Sequence, residues 1–196
     1  IATAHGITLV HISSDYVFDG TKQGEYSETD PVSPLGVYGQ TKAAGDAIVR
    51  TVPRHYIIRT SWVIGDGNNF IRTMTSLAQR GVSPSVVSDQ TGRLTFTTTI
   101  ADAIQHLLTV RPEYGIYNVT NGGEPMTWYE IARRVFEITG HDPDRVTPTT
   151  TSEYYAASTG PVAPRPANSL LSLSGLAEIA FEPPEADHAL RTYLKG

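Results

Sequence analysis

Two hydrophobic periods alternate along this chain. A short apolar run over residues 7–13 (Ile7, Leu9, Val10, Ile12) has the length and composition of a buried strand. Residues 37–51 then follow a helical period that sets Val37, Ala44, Ile48 and Thr51 on one face. Residues 55–60 are a second buried strand. Asn68 or Asn69 is placed to cap a helix that turns Phe70, Met74 and Leu77 inward and ends at Gly81. Residues 85–88 read as a short strand, and Thr99 opens a helix bearing Ile100, Ala103, Ile104, Leu107 and Leu108. Residues 114–119 read as another strand. Thr127 and Glu130 frame a capping box for a helix that stops at Gly140. Beyond it the chain is rich in Pro, Thr and Ser, with short helical pieces near 152–157 and 184–194.

This alternation predicts an α/β fold, a doubly wound, Rossmann-type parallel sheet with helices on both faces. Ligands of such sheets sit at the carboxyl ends of the strands. Ser14 and Trp62 both fall just past predicted strand ends, and Tyr38 falls in the first turn of a predicted helix. Tyr38 and Lys42 stand four apart, hence one turn above the other on the same helix face. A cation beside a phenol lowers its pKa from about 10 and makes it a usable acid near neutral pH. A hydroxyl at a strand end facing such a pair is a constellation for moving a proton to or from a carbonyl oxygen.

Composition narrows the classes. The chain has 196 residues, 39% hydrophobic and 18% charged, enough for a core in one or two small domains. A net charge of −5 without a Lys/Arg cluster argues against nucleic acid as a partner. No run approaches the ~18 apolar residues of a membrane span, and no secretory leader is recognisable. The absence of cysteine excludes thiolate chemistry, and the six histidines are scattered without ligand spacing, so no metal is expected.

More specific signals are the run from Ser13 to Gly20 (Ser-Ser-Asp-Tyr-Val-Phe-Asp-Gly) and the set Asp30-Pro31, Pro34 and Tyr38-Gly39 with Lys42. Arg59-Thr60-Ser61-Trp62, Asp89-Gln90 with Gly92, Tyr117-Asn118-Val119 and Arg165-Pro166 with Asn168-Ser169 follow in order. With these motifs the chain resembles the extended short-chain dehydrogenase/reductase family, in particular its dTDP-4-dehydrorhamnose reductases. The resemblance implies a keto-sugar reductase using NADPH or NADH on a dTDP-sugar, in the cytoplasm, and is compatible with a homodimer. Tyr38, Lys42 and Ser14 would be catalytic, with Tyr38 and Lys42 also touching the cofactor. Asp15 would contact sugar hydroxyls and Trp62 would pack on the sugar or thymine. Asn69, Arg93 and Arg165 would serve the substrate diphosphate, although plain capping suits Asn69 better and Leu94 stands where the family often has Pro, which weakens the carry-over at Arg93. Arg59, inside a strand, requires a buried partner. Phe96 and Trp128 read as core.

By the same resemblance, residues 1–140 are the later part of a dinucleotide-binding domain with substrate-binding segments interleaved at about 63–98. Residues 141–196 complete the substrate region. The family's opening Gly-x-x-Gly-x-x-Gly turn is not in this sequence, which reads as the C-terminal two-thirds of such a reductase. The chain alone is therefore expected to hold the cofactor weakly and to lack activity. Two alternatives stand beside it: a nucleotide-sugar epimerase or dehydratase of the same family, which shares the Tyr/Lys pair but is expected to carry different flanking motifs, and a non-catalytic subunit like the beta subunit of methionine adenosyltransferase, which also resembles this reductase.

Overall fold

The computed structural model describes residues 1–195. Strand β1 (Leu9–Ile12) leads through a long loop to helix α1 (Val37–Val49) and strand β2 (His55–Arg59). A short strand β3 (Val63–Ile64), helix α2 (Phe70–Gln79), strand β4 (Ser85–Val87), and short strands β5 (Thr91–Gly92) and β6 (Thr95–Phe96) follow. Helix α3 (Thr97–Val110) then precedes strand β7 (Gly115–Asn118). The remainder is β8 (Met126–Thr127), α4 (Trp128–Ile138), β9 (Thr147–Thr149), α5 (Thr151–Tyr154), α6 (Ser174–Glu178) and α7 (Ala186–Lys195).

The central sheet is parallel, in the order β1-β2-β7, with Leu9 opposite His55 and Tyr56 opposite Gly115. Tyr56, Ile58 and Tyr117 project from it onto Ala103 and Leu107 of α3 and Leu176 of α6. A second core lies beside the sheet. Ile71 and Met74 of α2, Val86 of β4, Ile131, Val135 and Phe136 of α4 and Leu190 of α7 are buried there together. The capping box of α4 forms as expected: Thr127 Oγ1 accepts from the Glu130 amide, and Glu130 accepts from the Thr127 amide.

Helix α4 packs in the second core, while α6 covers the sheet. The apolar stripe of α1 faces outward: Val37 is 75% and Ile48 70% exposed. The helix is instead buried along Gly39, Asp46 and Val49. A Cβ on Gly39 would lie 2.1 Å from the Tyr16 carbonyl, and one on Gly45 3.2 Å from the His11 ring. Glycine lets the helix backbone approach β1 more closely than its aliphatic face permits.

Candidate active site

The carboxyl end of β1 builds the site. After Ile12 the chain passes through Ser13 and Ser14 into a tight 3-10 turn, Asp15–Val17, which Ser14 caps by accepting from the Tyr16 amide at 3.2 Å. The Ser14 hydroxyl donates to Asp15 Oδ1 at 3.0 Å. From α1, the Lys42 ammonium donates to the Ile12 carbonyl, tying the Tyr38/Lys42 face of the helix to the end of the strand. Tyr38 is 56% exposed, and its ring meets the Tyr16 ring edge-on at 5.5 Å. The structure thus brings Ser14, Tyr38 and Lys42 to one place.

Asp15 is buried, and burial pushes its carboxyl up to about 6 despite hydrogen bonds from Ser169 and Ser14. Its Oδ2 is a buried acceptor without a protein partner. Beneath the site a second polar cluster locks α1 to the sheet. Arg59 Nε donates to Asp46 Oδ2 at 3.2 Å, and its Nη1 donates to the Glu28 carbonyl at 3.2 Å. Asp46 is the buried partner that a strand arginine requires. His11 lies 3.6 Å from the other Asp46 oxygen, and its pKa is held below the usual range by burial and then by the Lys42 charge.

Trp62 lies just past the end of β2. Its backbone adopts φ 48°, a left-handed conformation costly for a bulky residue. One ring face stacks on Trp128 at 3.9 Å, and a Cβ on Gly92 would stand 2.7 Å from the indole. The indole is partly buried against the second core, as is Trp128, which reads as core in the sequence. Trp128 also lines a cavity of about 240 Å³ with Phe70, Gln90, Tyr155 and Arg165.

The three diphosphate candidates separate. Arg93 is spent on structure: Nε donates to the Gly123 carbonyl at 2.8 Å, Nη1 to the Leu171 carbonyl at 3.1 Å, and Nη2 pairs with Glu25. These bonds make Arg93 a tie between loops. The Asn69 side chain caps α2 through the Arg72 amide and donates to the Gly65 carbonyl and the Tyr193 hydroxyl, both at 2.8 Å. Arg165 alone reaches the site. It borders the Trp128 cavity and donates to the Tyr16 hydroxyl at 3.1 Å. Tyr38, Tyr16, Arg165 and the cavity therefore form one continuous track. Among the described residues no His, Asp or Glu cluster can hold a metal, and no helix is long and apolar enough to cross a membrane.

Comparison with known proteins accords with this arrangement. The whole chain, residues 1–196, matches the family described as RmlD substrate binding domain. It is 41% identical over 196 residues to the spore coat polysaccharide biosynthesis protein SpsK of Bacillus subtilis, covering 99% of this chain and 66% of that protein. It is 37% identical to the dTDP-4-dehydrorhamnose reductase of Aggregatibacter actinomycetemcomitans, covering 97% and 67% respectively. The crystal structure of the Bacillus anthracis dTDP-4-dehydrorhamnose reductase in complex with NADP superposes with a TM-score of 0.89 at 33% identity, over 100% of this chain and 68% of that one. The chain spans about two-thirds of the length of these relatives. With a match along its entire length, the chain belongs to the RmlD substrate binding domain family.

Proposed function

We propose that the protein of which this chain is part reduces the 4-keto group of dTDP-4-dehydro-L-rhamnose with NADPH or NADH, forming dTDP-L-rhamnose. The observation that carries this reading is the joining of Ser14, Tyr38 and Lys42 at the end of β1. Tyr38 is exposed while Lys42 is pinned at the strand end, which suits a nicotinamide ribose held by these two residues. When bound, the cofactor supplies the hydride.

The chain's own residues handle the proton and the charge. Tyr38 gives its phenolic proton to the oxygen that becomes an alkoxide, and Lys42 stabilises the resulting phenolate. Ser14 polarises the carbonyl. Its proton is held by Asp15 in the free site, so Ser14 must turn toward the substrate oxygen, leaving Asp15 to accept from a sugar hydroxyl. Arg165 neutralises the diphosphate, and the aromatic cavity beside it takes the base.

The test is an assay of full-length protein with dTDP-4-dehydro-L-rhamnose, following loss of reduced nicotinamide absorbance and identifying the sugar formed. Substrate-dependent oxidation with dTDP-L-rhamnose as product supports the reading. Cofactor left reduced in the presence of substrate refutes it.

A further inference from the structure

Between Tyr155 and Pro166 the chain leaves the body of the protein. All ten residues from 156 to 165 are exposed, whereas Pro166 is buried. The last backbone hydrogen bond before this stretch runs from the Ser158 amide to the Tyr155 carbonyl, and the next is accepted by the Ala167 carbonyl from Thr91. Among the described residues, 159–164 make no backbone hydrogen bond. A Cβ on Gly160 would meet nothing within 4 Å, and the apolar Val162 is 41% exposed. A segment without packing or hydrogen bonds opens at little free-energy cost.

Both ends of the stretch are fixed. At one end α5 is tied down by the Thr151 amide, which donates to Asp89 at 2.9 Å. At the other, Pro166 packs so closely on Gly20 that a Cβ there would lie 2.6 Å from it. Tyr155 and Arg165 line the same cavity, so the two ends meet at its rim. The chain between them could span about 30 Å if extended, far more than a rim-to-rim crossing needs. It is an Ω-loop with slack, and its Ala163 and Pro164 also border the groove of Tyr38.

We propose that residues 156–164 are a lid that closes over the bound sugar nucleotide when Arg165 takes its diphosphate. The inference rests on the reduction proposed above, in which Arg165 meets that group. In the free site Arg165 Nη1 donates to the Tyr16 hydroxyl at 3.1 Å. A diphosphate offers a guanidinium charged acceptors, often two at once, in place of one neutral hydroxyl. Arg165 turning to it draws Pro164 and Ala163 along, because they are next in the chain. Pro161, Val162, Ala163 and Pro164 give the lid an apolar underside, and the two prolines have no N–H to strip of water. Those prolines also restrict the open loop, so less conformational entropy is lost on closing. Closure keeps water from Tyr38 and the reacting carbonyl.

The experiment is hydrogen–deuterium exchange of the full-length protein, free and saturated with dTDP or with thymidine, occupancy being set by calorimetry. In the free protein the amides of Thr159, Gly160, Val162 and Ala163 should exchange nearly as fast as in an unstructured peptide. Saturating dTDP should slow them about tenfold or more. Thymidine, which has no phosphate, should leave them fast. Arg165→Ala saturated with dTDP should also leave them fast, with a thermal melt verifying that the variant is folded. Bound dTDP without protection, protection by thymidine alone, or protection that survives Arg165→Ala each overturns the lid. Absence of dTDP binding overturns it as well, together with the role given to Arg165. The turnover assay above decides the reductase reading separately.

Discussion

Replacing Asp15 by asparagine tests the electrostatics of the site through folding stability. The carboxyl is 3% exposed, and burial raises its pKa from 3.8 to about 6, with the Ser169 and Ser14 hydrogen bonds opposing the rise. An acid whose pKa is raised in the folded state binds its proton more tightly folded than unfolded. Its contribution to stability is therefore complete below the unfolded value of 3.8 and is lost as pH rises through about 6. A shift of about 2 units at 1.36 kcal/mol per unit gives a loss of up to about 3 kcal/mol between about pH 4 and pH 7. The asparagine side chain has a similar shape and no charge to desolvate. Urea unfolding of the wild type and Asp15→Asn across that range should show the variant gaining on the wild type as pH rises, approaching about 3 kcal/mol less whatever the altered Ser14 contact costs. All other titrating groups are common to both, so the difference isolates Asp15. Parallel pH dependences would refute the argument. A destabilising carboxylate retained at neutral pH fits a site shaped for function at the expense of stability.

Three further outcomes follow from the packing and the ion pairs. Arg59→Leu leaves Asp46 buried without its partner and should cost about 3–5 kcal/mol in chemical unfolding, with a well-packed Arg59→Met/Asp46→Leu double variant recovering most of it. Trp62→Ala empties the space between Trp128 and Gly92 and should cost about 3 kcal/mol, with KM for sugar and cofactor changing together; a rise confined to the sugar would return Trp62 to substrate contact. Arg165→Ala should raise KM for the sugar nucleotide about tenfold with little change in melting temperature, whereas Arg93→Ala should lower the melting temperature, as steady-state kinetics and thermal melts would show.

Much of the fold was legible because it follows from period and punctuation. The strands that end shortly before Ser14 and Trp62, the cap at Asn69 and the box at Thr127 all depend on residues within a few positions of one another. Where the reading failed, distant contacts decide. The burial of α1 turns on Gly39 and Gly45, whose value is the missing Cβ, and on Asp46, which reads as a surface residue until Arg59 of the neighbouring strand is placed beside it. Arg93 and Arg165 are alike as sequence. Carbonyls 30 and 78 residues further along the chain occupy the first, and only the second lies on the track from Tyr38. The packing of Trp62 is hidden for the same reason: Gly92 is adjacent to it only after folding. In the site itself, the Tyr38/Lys42 spacing was visible at once, while the engagement of the Ser14 proton by Asp15 required the turn at Asp15–Val17.

The central claim is that Tyr38 supplies the proton in a reduction organised by Ser14 and Lys42. Its most direct test is kcat of full-length Tyr38→Phe at saturating dTDP-4-dehydro-L-rhamnose and reduced cofactor, with sugar-nucleotide binding measured separately by calorimetry. The side chain is more than half exposed and its loss should not disturb the fold. The account predicts a fall in kcat of about 10²-fold or more with the dissociation constant nearly unchanged. A Tyr38→Phe protein that turns over near the wild-type rate would contradict it.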